Sequence, residues 1–172
     1  MVGSNKISLR PLRLSDSKSI ASHANNRLVS DNLRDFFPHP YTEINAIQFI
    51  QMVSTKSPLT EFAIDVNGEA IGVAGIILKD DVYRNNGEIG YWIGQDYWGK
   101  GIGTWVVGEL VRIAFDELNL YRVYAEVFEN NIPSSRVLEK NGLMKEATLK
   151  NAIIKNGVQQ NLNIYSIINS KN

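Results

Sequence analysis

The chain contains no cysteine and only two histidines, His23 and His39. Without a thiol there is no disulfide, no thiolate metal site and no cysteine nucleophile. The histidines are far apart and nothing near either one has metal-ligand spacing, so no metal is expected. An excess of one charge is also lacking. Lys plus Arg and Asp plus Glu each number 18, for a formal charge of zero. That balance gives no reason to expect nucleic acid or an anionic membrane as the main partner. No apolar run approaches the roughly 20 residues of a membrane span, and residues 1–10 lack the apolar stretch of a signal peptide. The expectation is a soluble, cytoplasmic protein. Its 172 residues, 44% hydrophobic and 21% charged, suit a single domain over 1–172.

The local patterns alternate between strand and helix. Ile7, Leu9 and Pro11 alternate with polar neighbours, and Pro11 marks an edge strand or a strand end. Ser15 or Asp16 caps a helix reaching about Asn25. Two prolines break any helix through Phe36-Phe37-Pro38-His39-Pro40-Tyr41-Thr42. Thr42 then caps a second helix, with Ile44, Ile47, Ile50 and Val53 as its apolar series. Phe62, Ile64 and Val66 lead into Asn67-Gly68, a two-residue hairpin turn in which both residues need positive φ. The partner strand runs from Ala70 to Leu78. A strand follows at Glu88–Gly94 and a helix at Thr104–Leu118, with Val107, Leu110, Val111, Ala114 and Leu118 on one face. Tyr121–Phe128 is a strand with Val123, Ala125 and Val127 on one side. Pro133–Asn141 is a short helix with Gly142 as its C-terminal cap. Two strands, Ala147–Lys155 and Gln160–Ile168, turn at Asn156-Gly157. The sum is a mixed α/β chain with an antiparallel start and one parallel crossover.

Chemistry concentrates at Tyr97-Trp98-Gly99-Lys100-Gly101-Ile102-Gly103-Thr104, between a strand and a helix. Three alternate glycines let the backbone turn tightly and approach a ligand. The first amides of a helix lack internal partners and sit at the positive end of its dipole. These are the parts of a phosphate cradle. The spacing matches neither a P-loop nor the dinucleotide fingerprint, whose third glycine position falls on Thr104. Taken alone, the turn is as readily a plain strand-to-helix connection.

A second block accompanies it: Asn131-Ile132-Pro133-Ser134-Ser135-Arg136-Val137-Leu138-Glu139-Lys140-Asn141-Gly142. Together the two blocks resemble the GNAT superfamily of acyl-CoA N-acyltransferases, most closely its ribosomal-protein N-terminal acetyltransferase branch. Trp98-Gly99-Lys100-Gly101-Ile102-Gly103 is similar to the family's Arg/Gln-x-x-Gly-x-Gly/Ala motif, with Trp98 in place of Arg or Gln. Asn131–Gly142 is similar to the family's Asn-x-x-Ser-x-x-Val-Leu-Glu-Lys-x-Gly block. Glu88-Ile89-Gly90-Tyr91-Trp92-Ile93 resembles the preceding strand of this branch. The resemblance runs from Ile7 to about Ile168. It implies a central, mostly antiparallel sheet of about six to seven strands flanked by helices.

The implied reaction is direct attack of an amine on the thioester of acetyl-CoA. By resemblance, Gly99, Lys100, Gly101, Ile102, Gly103 and Thr104 hold the pyrophosphate. The amides of Trp92, Ile93 and Gly94 face the pantetheine arm, with the Trp92 N–H as oxyanion donor. Asn131 bonds the arm, or else caps its own helix. Glu88 is the candidate base, acting through water, and a solvated strand-end carboxylate is the alternative. Ser134 is the candidate acid at the departing sulfur, since Leu138 stands where many relatives have a tyrosine and the ribosomal branch has a serine at the position of Ser134; a second helix-start cap is the alternative. Arg136 and Lys140 are candidates to reach the 3′-phosphate, with plain solvated helix charges as the alternative. Phe36, Phe37 and Tyr41 line an acceptor pocket or pack as core. The acceptor is an amine: a protein N-terminus, or a small molecule such as a polyamine, aminoglycoside or amino acid. A non-catalytic acyl-CoA-binding module and pairing into a homodimer both stay open.

Overall fold

The computed structural model describes residues 6–170. Residues 1–5 and 171–172 of the expected domain lie outside the described residues. Seven strands are seen there: β1 (Ile7–Pro11), β2 (Glu61–Val66), β3 (Glu69–Leu78), β4 (Asn86–Ile93), β5 (Arg122–Phe128), β6 (Met144–Lys155) and β7 (Val158–Ile168). They form one sheet in the order β1-β2-β3-β4-β5-β7-β6. β1–β2, β2–β3, β5–β7 and β6–β7 pair antiparallel, and β4–β5 pair parallel. The helices are α1 (Ser17–Ala24), α2 (Arg27–Ser30), α3 (Glu43–Ser54), α4 (Ile102–Arg112) and α5 (Ile132–Lys140). The mixed, mostly antiparallel architecture is the one expected, with α2 added. No helix among the described residues is long and apolar enough to cross a membrane.

The chain divides into two compact units. One comprises residues 6–75 with Tyr91–Ile102, and the other Ile76–Gly90 with residues 103–170. In the first, β2 and β3 join through Asn67 (φ 55°) and Gly68 (φ 94°), the two positive values a tight hairpin requires. Thr42 caps α3 reciprocally: its hydroxyl accepts the Asn45 N–H at 3.3 Å, and Asn45 Oδ1 accepts the Thr42 N–H at 2.8 Å. The helix buries Ala46, Ile50 and Val53 and leaves Ile44 66% exposed, against the expected Ile44–Ile47–Ile50–Val53 series. Steps of three fall about 60° short of a full turn, so such a series walks off the face within three steps. The i, i+4, i+7 set is the one that stays inward. It packs in a cluster with Leu12, Ile20, Ala63 and Val73. Arg10 ties this unit together. Its guanidinium donates to Asp16 at 2.7 and 2.9 Å and to Asp65 at 2.7 Å. Burial pushes the Asp16 carboxyl up, but hydrogen bonds from Arg10 and the Arg13 N–H outweigh it and hold the group below its usual range.

In the second unit, α4 runs into a single π turn over Ile113–Glu117, where the Leu118 N–H reaches the Ile113 carbonyl at 3.0 Å. The expected helix is therefore present, with its last turn widened. The helix buries Val106, Val107, Leu110, Ile113 and Ala114, while Val111 and Leu118 are only half-buried. The inward face thus includes Val106 and Ile113 in place of those two. Val123, Ala125 and Val127 of β5 are buried, as their alternation predicts. β5 pairs with β4 only from Asn86↔Arg122 to Glu88↔Tyr124. α5 ends at Gly142 with φ 80°, and the β6–β7 hairpin turns at Asn156 (φ 52°) and Gly157 (φ 76°).

Candidate functional site

β4 ends at Ile93, and a 3-10 turn over Gln95–Tyr97 carries the chain to Trp98 and the glycines. Gly99 has φ 73° and Gly101 φ 78°, and a Cβ added at either would meet no protein atom within 4 Å. The backbone conformation demands glycine at both, while the space beyond them is open to a ligand. Ile102 opens α4 with its side chain buried, so only its backbone is free to serve the turn. Gly103 and Thr104 follow in the first helical turn, whose N–H groups have no intrahelical acceptors. The Lys100 ammonium lies 5.1 Å from the centroid of the Tyr97 ring. Trp98, which departs from the family motif, donates its indole N–H to the Ile93 carbonyl at 2.7 Å. It fastens the turn to the end of β4, a role the motif comparison did not reveal.

The end of β4 revises which amides are available. The Gly94 N–H donates to the Ile71 carbonyl at 2.8 Å. The Trp92 carbonyl is directed at Gly72, where an added Cβ would collide with it. The N–H and C=O of a strand residue share a side, and successive residues alternate. Trp92 and Gly94 are therefore both turned towards β3. Ile93 is turned the other way, with its carbonyl on the Trp98 indole. The Gly94 N–H is thus taken up within the sheet, Trp92 shares its side, and the Ile93 amide faces the opposite way. The Trp92 side chain packs edge-on against Phe37 at 5.7 Å, and Phe37 lies 4.8 Å from Tyr41. Tyr41 is buried, and burial pushes its hydroxyl above the usual range. Phe36 is 84% exposed, and His39 is exposed too.

The remaining candidates belong to the second unit. Glu88 is buried at 8% exposure. The Lys79 ammonium donates to it at 2.8 Å and the Tyr124 hydroxyl at 3.3 Å. Burial pulls the Lys79 ammonium down, but Glu88 and Tyr124 more than offset this and leave it above its usual value. Lys79 and Arg122 also lie 5.5 and 4.9 Å from the Tyr124 ring. Glu88 is thus a paired, enclosed carboxylate, unlike a solvated strand end. Sequence reasoning missed Lys79 and Tyr124. The one signal for the first was a lysine immediately after an apolar strand.

Asn131 caps α5, its Oδ1 accepting the Ser134 N–H at 3.2 Å. That leaves its carboxamide N–H groups as the donors for a ligand. Ser134 is half-buried in the first turn, Arg136 and Lys140 are exposed, and Leu138 is core at 1% exposure. Asn141, also missed, donates to the Thr104 carbonyl at 3.0 Å and to Val137 at 2.9 Å. It ties the end of α5 to the first turn of α4.

A family model described as an acetyltransferase (GNAT) domain matches residues 6–144. The probable N-acetyltransferase YjcK of Bacillus subtilis is 30% identical, over 98% of this chain and 97% of that protein. Spermidine N(1)-acetyltransferase of Escherichia coli K12 is 26% identical, over 94% of this chain and 85% of that protein. Among solved structures, RimL, a ribosomal L7/L12 α-N-protein acetyltransferase in complex with coenzyme A, superimposes with a TM-score of 0.86 at 18% identity, covering 100% of this chain and 98% of that one. A glycine turn opening α4, a capped α5 and a matching model over most of the length agree: the chain belongs to the GNAT family of N-acetyltransferases.

Proposed function

We propose that the chain transfers the acetyl group of acetyl-CoA directly to a protein N-terminal α-amine. The observation that carries the cofactor is the turn at Gly99–Gly103. Two positive-φ glycines border open space there, and the turn feeds straight into the start of a helix. The RimL neighbour was solved in complex with coenzyme A, which supports the choice of ligand.

Acetyl-CoA supplies the activated thioester. An α-amine has a pKa of about 7.7–8.0 against about 10.4 for a lysine, so it needs only modest help to lose its proton. Glu88, acting through a water, takes that proton as the amine attacks the carbonyl carbon. The outward N–H of Ile93 stabilises the developing oxyanion. The Ser134 hydroxyl gives its proton to the departing sulfur and recovers one from solvent. Gly99–Thr104 bind the pyrophosphate, Asn131 bonds the arm, and Arg136 and Lys140 face the 3′-phosphate.

The relatives include acetyltransferases of both a ribosomal protein and a polyamine. The state of Glu88 favours the first. Its charge is already matched by Lys79 at 2.8 Å, so it offers no uncompensated carboxylate to a polycation. The test is turnover of acetyl-CoA, followed by thiol release, against three acceptor sets: peptides with a free N-terminus, the same peptides N-blocked but bearing lysine, and small amines including spermidine. Turnover confined to free N-termini is expected. Turnover only on spermidine would install the small-amine function instead. Tight coenzyme A binding with no turnover on any acceptor would make the chain a binding module.

A further inference from the structure

A polar cluster in the first unit lies behind the glycine turn and is not used by the proposed chemistry. Glu69, the first residue of β3, stands at its centre. The His23 ring of α1 lies with Nε2 2.9 Å from one Glu69 oxygen, and the Ser19 hydroxyl, which donates to the Ala70 carbonyl at 2.8 Å, lies 3.2 Å from the same oxygen. The Tyr97 hydroxyl donates to the other oxygen at 3.2 Å. The hydrogen bond from His23, aided by those from Tyr97 and Ser19, holds the Glu69 carboxyl below its usual range against the effect of burial. An ionised carboxylate only accepts, so His23 Nε2 is the donor of this pair.

The Nδ1 side of the same ring abuts Gly94, where an added Cβ would fall 2.5 Å from Nδ1. His23 and Tyr97 also meet edge to face at 5.5 Å. One residue beyond Gly94, the Asn26 carboxamide donates to Gln95 Oε1 at 2.7 Å. The segment Gly94–Tyr97 is therefore fastened to α1, to the cap of α2 and to the start of β3. It leads directly into the phosphate-binding glycines. Tyr97 in turn carries the Lys100 ammonium over its ring.

We infer that Glu69, His23 and Tyr97 are positioning residues for the pyrophosphate of the acyl donor: they fix the Gly94–Tyr97 segment and, through the Tyr97 ring, the place of Lys100 in the cradle. This rests on the acetyl-CoA function proposed above. The network touches no reacting atom, so it governs donor binding and leaves the acetyl-transfer step alone. It acts only on donors that carry the pyrophosphate.

Glu69→Gln is the informative change. Glutamine has one acceptor oxygen where Glu69 offers one each to His23 and Tyr97, and its NH2 confronts a donor in place of accepting from it. The measurements are steady-state kinetics with acetyl-CoA and with S-acetylpantetheine, which has the same thioester and no pyrophosphate, plus calorimetry with coenzyme A. Glu69→Gln is expected to raise the KM for acetyl-CoA roughly three- to tenfold and to weaken coenzyme A binding in step, with kcat within about twofold. Its kcat/KM for S-acetylpantetheine should equal that of the wild type. Tyr97→Phe, which keeps the ring under Lys100 and loses the hydroxyl, should shift KM in the same direction by less. Tyr97→Leu should shift it by more. An equal loss with both donors, or a loss in kcat, would show general damage and overturn the inference. Unchanged coenzyme A affinity in both Glu69→Gln and Tyr97→Leu would overturn it too, while leaving the acetyltransferase function standing. A wild-type chain that does not bind coenzyme A would remove that function itself.

Discussion

Glu88 shows how far a residue's chemistry depends on partners distant in sequence. Its candidacy as a base came from its place in the strand before the glycine turn. Its surroundings came only from the fold: Lys79 follows β3, and Tyr124 is its direct register partner on β5. Neither separation is a motif, so neither was legible beforehand. If Glu88 is the base, Glu88→Gln should lower kcat roughly a hundredfold with little change in the KM for acetyl-CoA. Full kcat in that variant would reduce Glu88 to the structural partner of Lys79. The proposal of Ile93 as oxyanion donor rests on the same dependence, because strand alternation decides which amide faces which way. A second residue-level prediction concerns Gly72. Its missing side chain makes room for the Trp92 carbonyl, so Gly72→Ala should lower the melting temperature and disturb the end of β4 together. An unaltered melting temperature would contradict that packing.

At the scale of elements, the sequence was most legible where one residue type has one use. Asn67-Gly68, Asn156-Gly157, the Thr42 cap and the Gly142 terminus all appeared as expected, since positive φ and unpaired helix N–H groups leave few alternatives. Packing faces were harder to read. An apolar series at i+3 looks helical but rotates away from the core, so Ile44 of α3 ended in solvent. The π turn at Ile113–Glu117 left no composition signal and shifted the buried face of α4. The short α2 and the Arg10–Asp16–Asp65 network were also unread. Arg10 holds two carboxylates that are each 7% exposed, so Arg10→Met should cost about 3 kcal/mol, the low end for breaking a buried pair given the 15% exposure of the arginine side chain. Chemical denaturation measures it directly, and a cost near zero would mean that solvent already screens the network. The Asp16 carboxyl is depressed in the folded chain, so its contribution is complete above its ordinary value of 3.8 and is lost as pH falls through the lower folded value. Stability should therefore be level in this respect from neutrality to about pH 5 and fall below about pH 4. The fall should be smaller in Arg10→Met.

For the whole molecule, the order of elements along the chain was readable, and the order of strands across the sheet was not. β6 and β7 are a sequence hairpin, yet β7 is the one that pairs with β5 and β6 takes the edge. Local pattern fixes neighbours in sequence, whereas the inner place of β7, with Leu162 and Tyr165 buried, is a matter of tertiary packing. Family membership did not depend on that detail, because the two motif blocks and their spacing survive it. To act as proposed, the whole chain must bind coenzyme A through the glycine turn. The most direct test is calorimetric titration of coenzyme A into the wild type and Gly101→Asp, with Gly101→Ala as the control for backbone strain at φ 78°. The aspartate would project into the open space at the turn and put a negative charge where phosphate is to sit. The prediction is clear binding by the wild type, a loss of at least roughly a hundredfold in Gly101→Asp, and a smaller loss in Gly101→Ala. Equal affinity in the wild type and Gly101→Asp, or no binding by the wild type, would contradict coenzyme A binding at this turn.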